Sequence, residues 1–275
     1  MPDGGRHVPS HPRSPPYPWA VPSDPSPAVN EPTGPPSTEP RPYRTSPVSF
    51  VRRSGRMNVR QQRAWDERRH EMLVDVPRQV ARTSVDPDWQ FDASAAFGRD
   101  APLVVEVGSG QGEAVVAAAQ SAPGTNFLAL EVYTPGLGQT LYRSLKAGLT
   151  NVRLMQANAP EVLEHALPPA SVDELWVFFP DPWPKARHTK RRLVAPPFVE
   201  IVAGALRPGG LWRLATDWAE YAEQMIDVLD ASEHFENVHG PRGAAPRFDG
   251  RVLTGFEAKA GRADRPVVDL TYRRV

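Results

Sequence analysis

Val104-Val105-Glu106-Val107-Gly108-Ser109-Gly110-Gln111-Gly112 decides the reading of the fold. An apolar run, Leu103–Val107, breaks into a glycine-rich turn, and an Ala- and Val-rich segment from Gly112 to Gln120 follows as a helix. Glycine suits such a turn because the chain reverses tightly and the backbone must approach a ligand without a Cβ in the way. On its own the turn fits a dinucleotide site, a methyltransferase site or a plain strand-to-helix connection. Three details favour the second. Glu113 stands where the dinucleotide fingerprint requires its last glycine. Glu106 lies inside the strand, where a carboxylate suits a cationic amino-acid tail and repels a pyrophosphate. Glu131 ends the next apolar run, close to the distance at which an acid grips ribose hydroxyls.

Outward from that turn, apolar runs alternate with helix-length segments. Strands are expected at Asn126–Leu130, Val152–Gln156, Leu175–Phe179, Leu211–Ala215 and Val267–Tyr272. Helices are expected at Gly136–Ala147, Pro160–Ala166, Pro197–Leu206 and Asp217–Ala231, with Arg207-Pro208-Gly209-Gly210 as a turn. Strands alternating with helices imply βαβ units, an α/β class and a mostly parallel sheet.

The strand expected at Leu175–Phe179 runs into Phe178-Phe179-Pro180-Asp181-Pro182-Trp183-Pro184-Lys185. Two prolines stiffen the chain around Asp181. An acid, an aromatic and a lysine then emerge at the strand end, where ligands bind in open α/β sheets. An aromatic can stack on a base and an acid can accept from its edge. Lys185, Arg187, His188, Lys190, Arg191 and Arg192 follow at once, well placed to grip phosphates, although such a run is often only a solvated face. His188 among cations reads as a polar contact. Thr216 and Asp217 follow the strand at Leu211–Ala215, as site residues or as caps of the next helix. Thr254-Gly255-Phe256-Glu257 by itself reads as surface turn chemistry.

The 275 residues carry 32 basic and 32 acidic side chains and no cysteine, which excludes a disulfide scaffold, a thiolate metal site and a cysteine nucleophile. No apolar run is long enough to span a bilayer and no secretory leader is evident, so a cytoplasmic protein is expected. Residues 1–48 hold nearly half of the 32 prolines and read as a disordered Pro/Ser-rich tail. Residues 49–98 form a basic arm with Arg52, Arg53, Arg56, Arg60, Arg63, Arg68, Arg69 and Arg78, in which Asn58–Val74 is a helix of mixed charge. Its arginines are either a solvated face or phosphate contacts. Residues 99–275 are the main domain.

These motifs together resemble the bacterial tRNA (guanine-N7-)-methyltransferase family, over roughly Ser49 to Val275. The Phe178–Arg192 segment is the most specific part. The resemblance implies a Rossmann-like fold with a mostly parallel seven-stranded sheet, helices on both faces and one antiparallel strand near the end. It implies S-adenosyl-L-methionine as cofactor, tRNA as partner, no metal, no membrane, and methylation of guanine 46 in the variable loop by a monomer or homodimer. Site residues carry over position by position. Asp181 is the catalytic residue. Glu106, Gly108, Gly110, Glu131, Asn158 and Asp181 bind the cofactor, with Asn158 where an aspartate is frequent. Lys185, Asp217, Thr254 and Glu257 bind the substrate, with Gly255 where a lysine is common. Three other readings stay open: a methyltransferase of the same fold acting on another base or a small molecule, a nicotinamide oxidoreductase, and an inactive RNA-binding relative.

Overall fold

The computed structural model describes residues 55–254, 257 and 265–275. The tail at 1–48, Arg52 and Arg53 in the arm, and Gly255 and Phe256 lie outside the described residues. The arm's helix α1 (Val59–Met72) starts where its chemistry dictates. Asn58 accepts from the Gln61 N–H at 3.0 Å while the Gln61 side chain accepts from the Asn58 N–H at 2.9 Å, a reciprocal capping box. Arg63 pairs with Glu67 and Arg68 with Glu71 along the helix, so part of its positive charge is answered within the helix itself. Past α1, the Val74 N–H donates to the Leu154 carbonyl at 2.9 Å. The arm thus covers an edge of the sheet that would otherwise expose unpaired backbone. A short helix, α2 (Ala93–Phe97), which the sequence pattern did not suggest, is capped by Asp92 accepting from the Ala95 N–H.

The alternation then unfolds much as the pattern demands. β1 (Leu103–Val107) leads to α3 (Glu113–Ser121), β2 (Asn126–Leu130) to α4 (Thr134–Lys146), and β3 (Val152–Met155) to α5 (Ala159–Glu161). The chain from Val162 to Ala166 is a π-helical turn, where an ordinary helix was expected. β4 (Val172–Phe178), α6 (Pro196–Ala205), β5 (Leu206–Thr216), α7 (Ala219–Asp230), β6 (Phe235–Asn237) and β7 (Val268–Arg274) complete the described elements. One sheet of seven described strands runs in the order β3-β2-β1-β4-β5-β7-β6. β1 to β5 pair in parallel, and β7 is antiparallel to both neighbours. Buried clusters cover both faces, one centred on Val105, Leu175 and Trp212, the other on Phe127, Leu137 and Trp176.

Arg207–Gly210, expected as a turn before the fifth strand, lies within β5. It bulges there: Val172 of β4 pairs with Leu206 and Glu174 with Leu211, so four residues answer the single Asp173. Gly209 takes φ +77° at the bulge, which is where a residue without Cβ is needed. Sheet order fixes the location of the site. From β1 the chain winds outward to β3 and then returns to β4 on the other side of β1. The connections that leave the carboxyl ends of β1 and β4 therefore run in opposite directions and open a crevice beyond the paired strands, the ligand position of such sheets.

Candidate active site

The glycine turn sits at one wall of that crevice. Gly108, Gly110 and Gly112 all have positive φ, between +57° and +72°. Gly112 has a further reason to lack a side chain: an added Cβ would stand 2.4 Å from Thr140 of α4. The turn is pinned to β2, because Gly108 N–H donates to the Leu130 carbonyl at 2.8 Å. Glu131 completes the fastening. Its Oε2 accepts from Gly110 N–H at 2.8 Å, and its Oε1 accepts from the N–H groups of Val132 and Tyr133. Burial raises the Glu131 carboxyl above the usual range, these backbone donors draw it back down, and the charge of Asp181 raises it again. Oε2 keeps a lone pair for a further donor.

Glu106 is buried inside β1, and its Oε2 has no hydrogen-bond partner among the described residues. Desolvation pushes its carboxyl up to about 8, against a lowering by the backbone N–H of Val115 in the first turn of α3 and a raising by Glu131. A buried oxygen with an empty lone pair is costly unless something answers it. Asn158 is buried past the end of β3. Its backbone N–H donates to the Thr83 carbonyl and its amide to Glu161 Oε1 at 2.7 Å. The arm segment that holds Thr83 thus closes over this end of the crevice.

Asp181 emerges from the end of β4 on the opposite wall. The loop that carries it is strained: Phe179 and Trp183, neither of them glycine, take φ +51° and +44°. Such conformations persist only where surroundings over-determine them. Phe179 N–H is held by the Ala215 carbonyl at 2.8 Å. Trp183 is flanked by the His188 ring edge-on at 5.9 Å and the Arg191 guanidinium at 5.0 Å. Asp181 lies open to solvent, yet the protein around it withdraws enough water to raise its carboxyl. It makes no ion pair or hydrogen bond with another described residue. A 3-10 helix, Ala186–Arg191, follows. Lys185, Arg187 and Lys190 on this segment are exposed and likewise unpaired among the described residues. His188 has its pKa lowered, by the desolvating surroundings and then by Arg191, Arg187 and Lys185, consistent with a polar role. Arg192 departs from the phosphate-gripping reading of its run: only 6% of it is exposed.

The remaining sequence-derived residues are brought to the same end of the sheet but are already engaged. Asp217 pairs with Arg265 at 2.6 Å. Neither it nor Thr216 caps α7; Trp218 holds the cap position without a side-chain bond, its N–H donating to Thr216 Oγ1. Thr254 Oγ1 accepts from the Glu257 N–H at 3.3 Å. Both Glu257 oxygens are taken, by Arg247 and Arg251. Sequence reasoning gave Arg247 and Arg251 no role. Arg251 is fully buried, makes two bonds to Asp269 of β7 at 2.9 and 2.8 Å, and lies 5.4 Å from the Phe179 ring.

Comparison with known proteins gives the family. The family model Methyltransf_4, described as "Putative methyltransferase", matches residues 100–270. The tRNA (guanine-N(7)-)-methyltransferase of Paenarthrobacter aurescens (strain TC1) is 49% identical over 279 residues, covering 84% of this chain and 93% of that protein. The enzyme of the same name from Cutibacterium acnes (strain DSM 16379 / KPA171202) is 49% identical over 229 residues, 83% of each. Among solved structures, the 16S rRNA methyltransferase KamB is similar with a TM-score of 0.48 and 18% identity, over 67% of this chain and 95% of that chain. With the glycine turn, the buried acids and the Asp181 loop assembled on one crevice, and with that extent of identity, the chain belongs to the tRNA (guanine-N(7)-)-methyltransferase family.

Proposed function

We propose that this protein transfers a methyl group from S-adenosyl-L-methionine to N7 of guanine 46 in the tRNA variable loop, in the cytoplasm, giving 7-methylguanosine. The observation that carries the reading is the chain of acids at the crevice between β1 and β4: Glu106, whose buried Oε2 has no partner among the described residues, Glu131 near enough to raise it, and Asp181 near enough to raise Glu131 in turn. The residues present fit the cofactor. Glu106 Oε2 answers an ammonium, Glu131 Oε2 can accept from a ribose hydroxyl, and the glycine turn allows backbone approach. When bound, the cofactor supplies a methyl activated on a sulfonium. Guanine N7 carries a lone pair and no proton, so no general base is required and catalysis is mostly positioning. Asp181 accepts from the donor edge of the base and stabilises the positive charge that develops on the ring. Lys185, Arg187 and Lys190 hold the phosphates. Asp217 and Glu257, being paired with arginines, shape the substrate wall around Thr254.

The test is transfer of a labelled methyl group to two unmodified transcripts, one with guanine at position 46 and one with adenine. Label on the first alone, released as 7-methylguanosine, supports the reading. Equal label on both overturns the target and favours another RNA base. Cofactor binding without label on either overturns the activity.

Glu106 gives a second measurable consequence. With its carboxyl near 8 in the free protein, it is mostly protonated at neutral pH. An ammonium beside it stabilises the charged form and lowers that value, so binding expels the proton and tightens as pH rises toward 8. Calorimetric titration at pH 7 in two buffers of different ionisation enthalpy is expected to show release of about one proton, lost in Glu106→Gln. Identical heats in both buffers would refute this.

A further inference from the structure

Arg192 closes a run of cations, but its surroundings are those of an internal brace. Its Nε donates to the Pro182 carbonyl at 2.8 Å, one residue past Asp181. Its Nη1 donates to Gln224 Oε1 at 2.9 Å and to the Glu220 carbonyl at 3.3 Å, both on α7. The guanidinium lies 4.9 Å from the Tyr221 ring centroid. Among the described residues it has no carboxylate partner. Carbonyl oxygens and an aromatic face answer the charge, a geometry that the planar, multi-donor guanidinium satisfies and an ammonium does not. The same face of α7 holds the chain just beyond it. Val194 N–H donates to Tyr221 Oη at 2.9 Å, and Gln224 Nε2 donates to the Val194 carbonyl at 2.9 Å. α7 packs on the sheet through Tyr221, Met225 and Leu229, all buried. A rigid path therefore leads from the core through α7 and Arg192 to the backbone at Pro182, between the two residues of the loop with positive φ.

We propose that Arg192 is a positioning residue: it fixes the strained Asp181 loop to α7 and does not contact tRNA phosphate. The proposal rests on the activity given above. It also explains how Phe179 and Trp183 keep their conformations, since the loop backbone is fastened at Ala215 on one side and at Arg192 on the other.

Arg192→Lys separates the two roles, because lysine keeps the charge but carries its donors on one nitrogen and cannot span the acceptors that Nε and Nη1 reach separately. A phosphate contact would be largely rescued by lysine, whereas a brace would not. At saturating tRNA and cofactor the single-turnover rate of Arg192→Lys is expected to fall on the order of 10²-fold, the cost of an ångström-scale misplacement. The slope of log Kd for tRNA against log salt should stay at the wild-type value. Lys185→Ala, in parallel, should make that slope shallower by about 0.7–0.9. Hydrogen exchange of the peptide spanning 179–185 gives a reading independent of activity. Faster exchange in Arg192→Lys, with an unchanged melting temperature, supports the brace even if tRNA methylation itself were disproved. A wild-type rate and wild-type exchange in Arg192→Lys, or a shallower salt slope in Arg192→Met with exchange unchanged, would overturn it.

Discussion

Asp181→Asn is expected to lose tRNA methylation by at least about 10²–10³-fold while the protein stays folded and still binds cofactor. The substitution keeps the size of the side chain and the prolines that stiffen its loop, so it removes the charge and little else. Asp181 has no partner among the described residues, and no structural bond is lost with it. Its carboxyl is already raised by desolvation, which also means that its charge acts in a medium poorer in water and is worth more there. An amide can still accept one bond from a base edge but cannot offset the positive charge that accumulates on the guanine ring. Single-turnover labelling with excess enzyme isolates this step, and a melting curve with a cofactor titration checks the fold. A rate within a few-fold of wild type would show that Asp181 does not face the reacting base.

The largest effect on stability is expected at Arg251. Its side chain is 1% exposed, and its partners Glu257 and Asp269 are 8% and 10% exposed. Burial already lifts the Asp269 carboxyl, and the bonds from Arg251 pull it back down. Arg251→Met leaves that carboxylate buried and unanswered, while Glu257 keeps only Arg247. Breaking one side of a buried ion pair costs about 3–5 kcal/mol, which for a domain of this size lowers the melting temperature by about 10 °C. Pairing the change with Asp269→Leu removes the stranded charge, and the double variant should melt above the single one. Thermal unfolding of the two variants decides it. A single variant that melts like the wild type, or a double variant that falls by the sum of both changes, would show that the cluster does not hold β7 to the Glu257 segment.

The strands β1 and β2 fall at the residues where the apolar runs placed them. The acids of the crevice were equally plain, since Glu106, Glu131 and Asp181 sit in or just beyond runs that must be parallel strands. Strand and turn signals are local: an apolar run is buried whatever it packs against, and a glycine permits its turn without outside help. β6 was not located, because three residues show no period, and it becomes a strand only by pairing with β7. The Arg207–Gly210 segment carries genuine turn chemistry, yet β4 continues past it and draws it into β5 as a bulge.

Charged side chains divide in the same way. In sequence, Arg191 and Arg192 are alike, and Arg251 is one more cation in a polar loop. In the fold one lies against Trp183 at the surface, one braces Pro182 against α7, and one joins Glu257 to Asp269. The sequence by itself determined the parallel sheet, the glycine turn and the three acids that stand at its carboxyl end. Only the tertiary structure decided which cations face the substrate and which hold the site together. A charge can be buried only where distant parts of the chain bring acceptors to meet it.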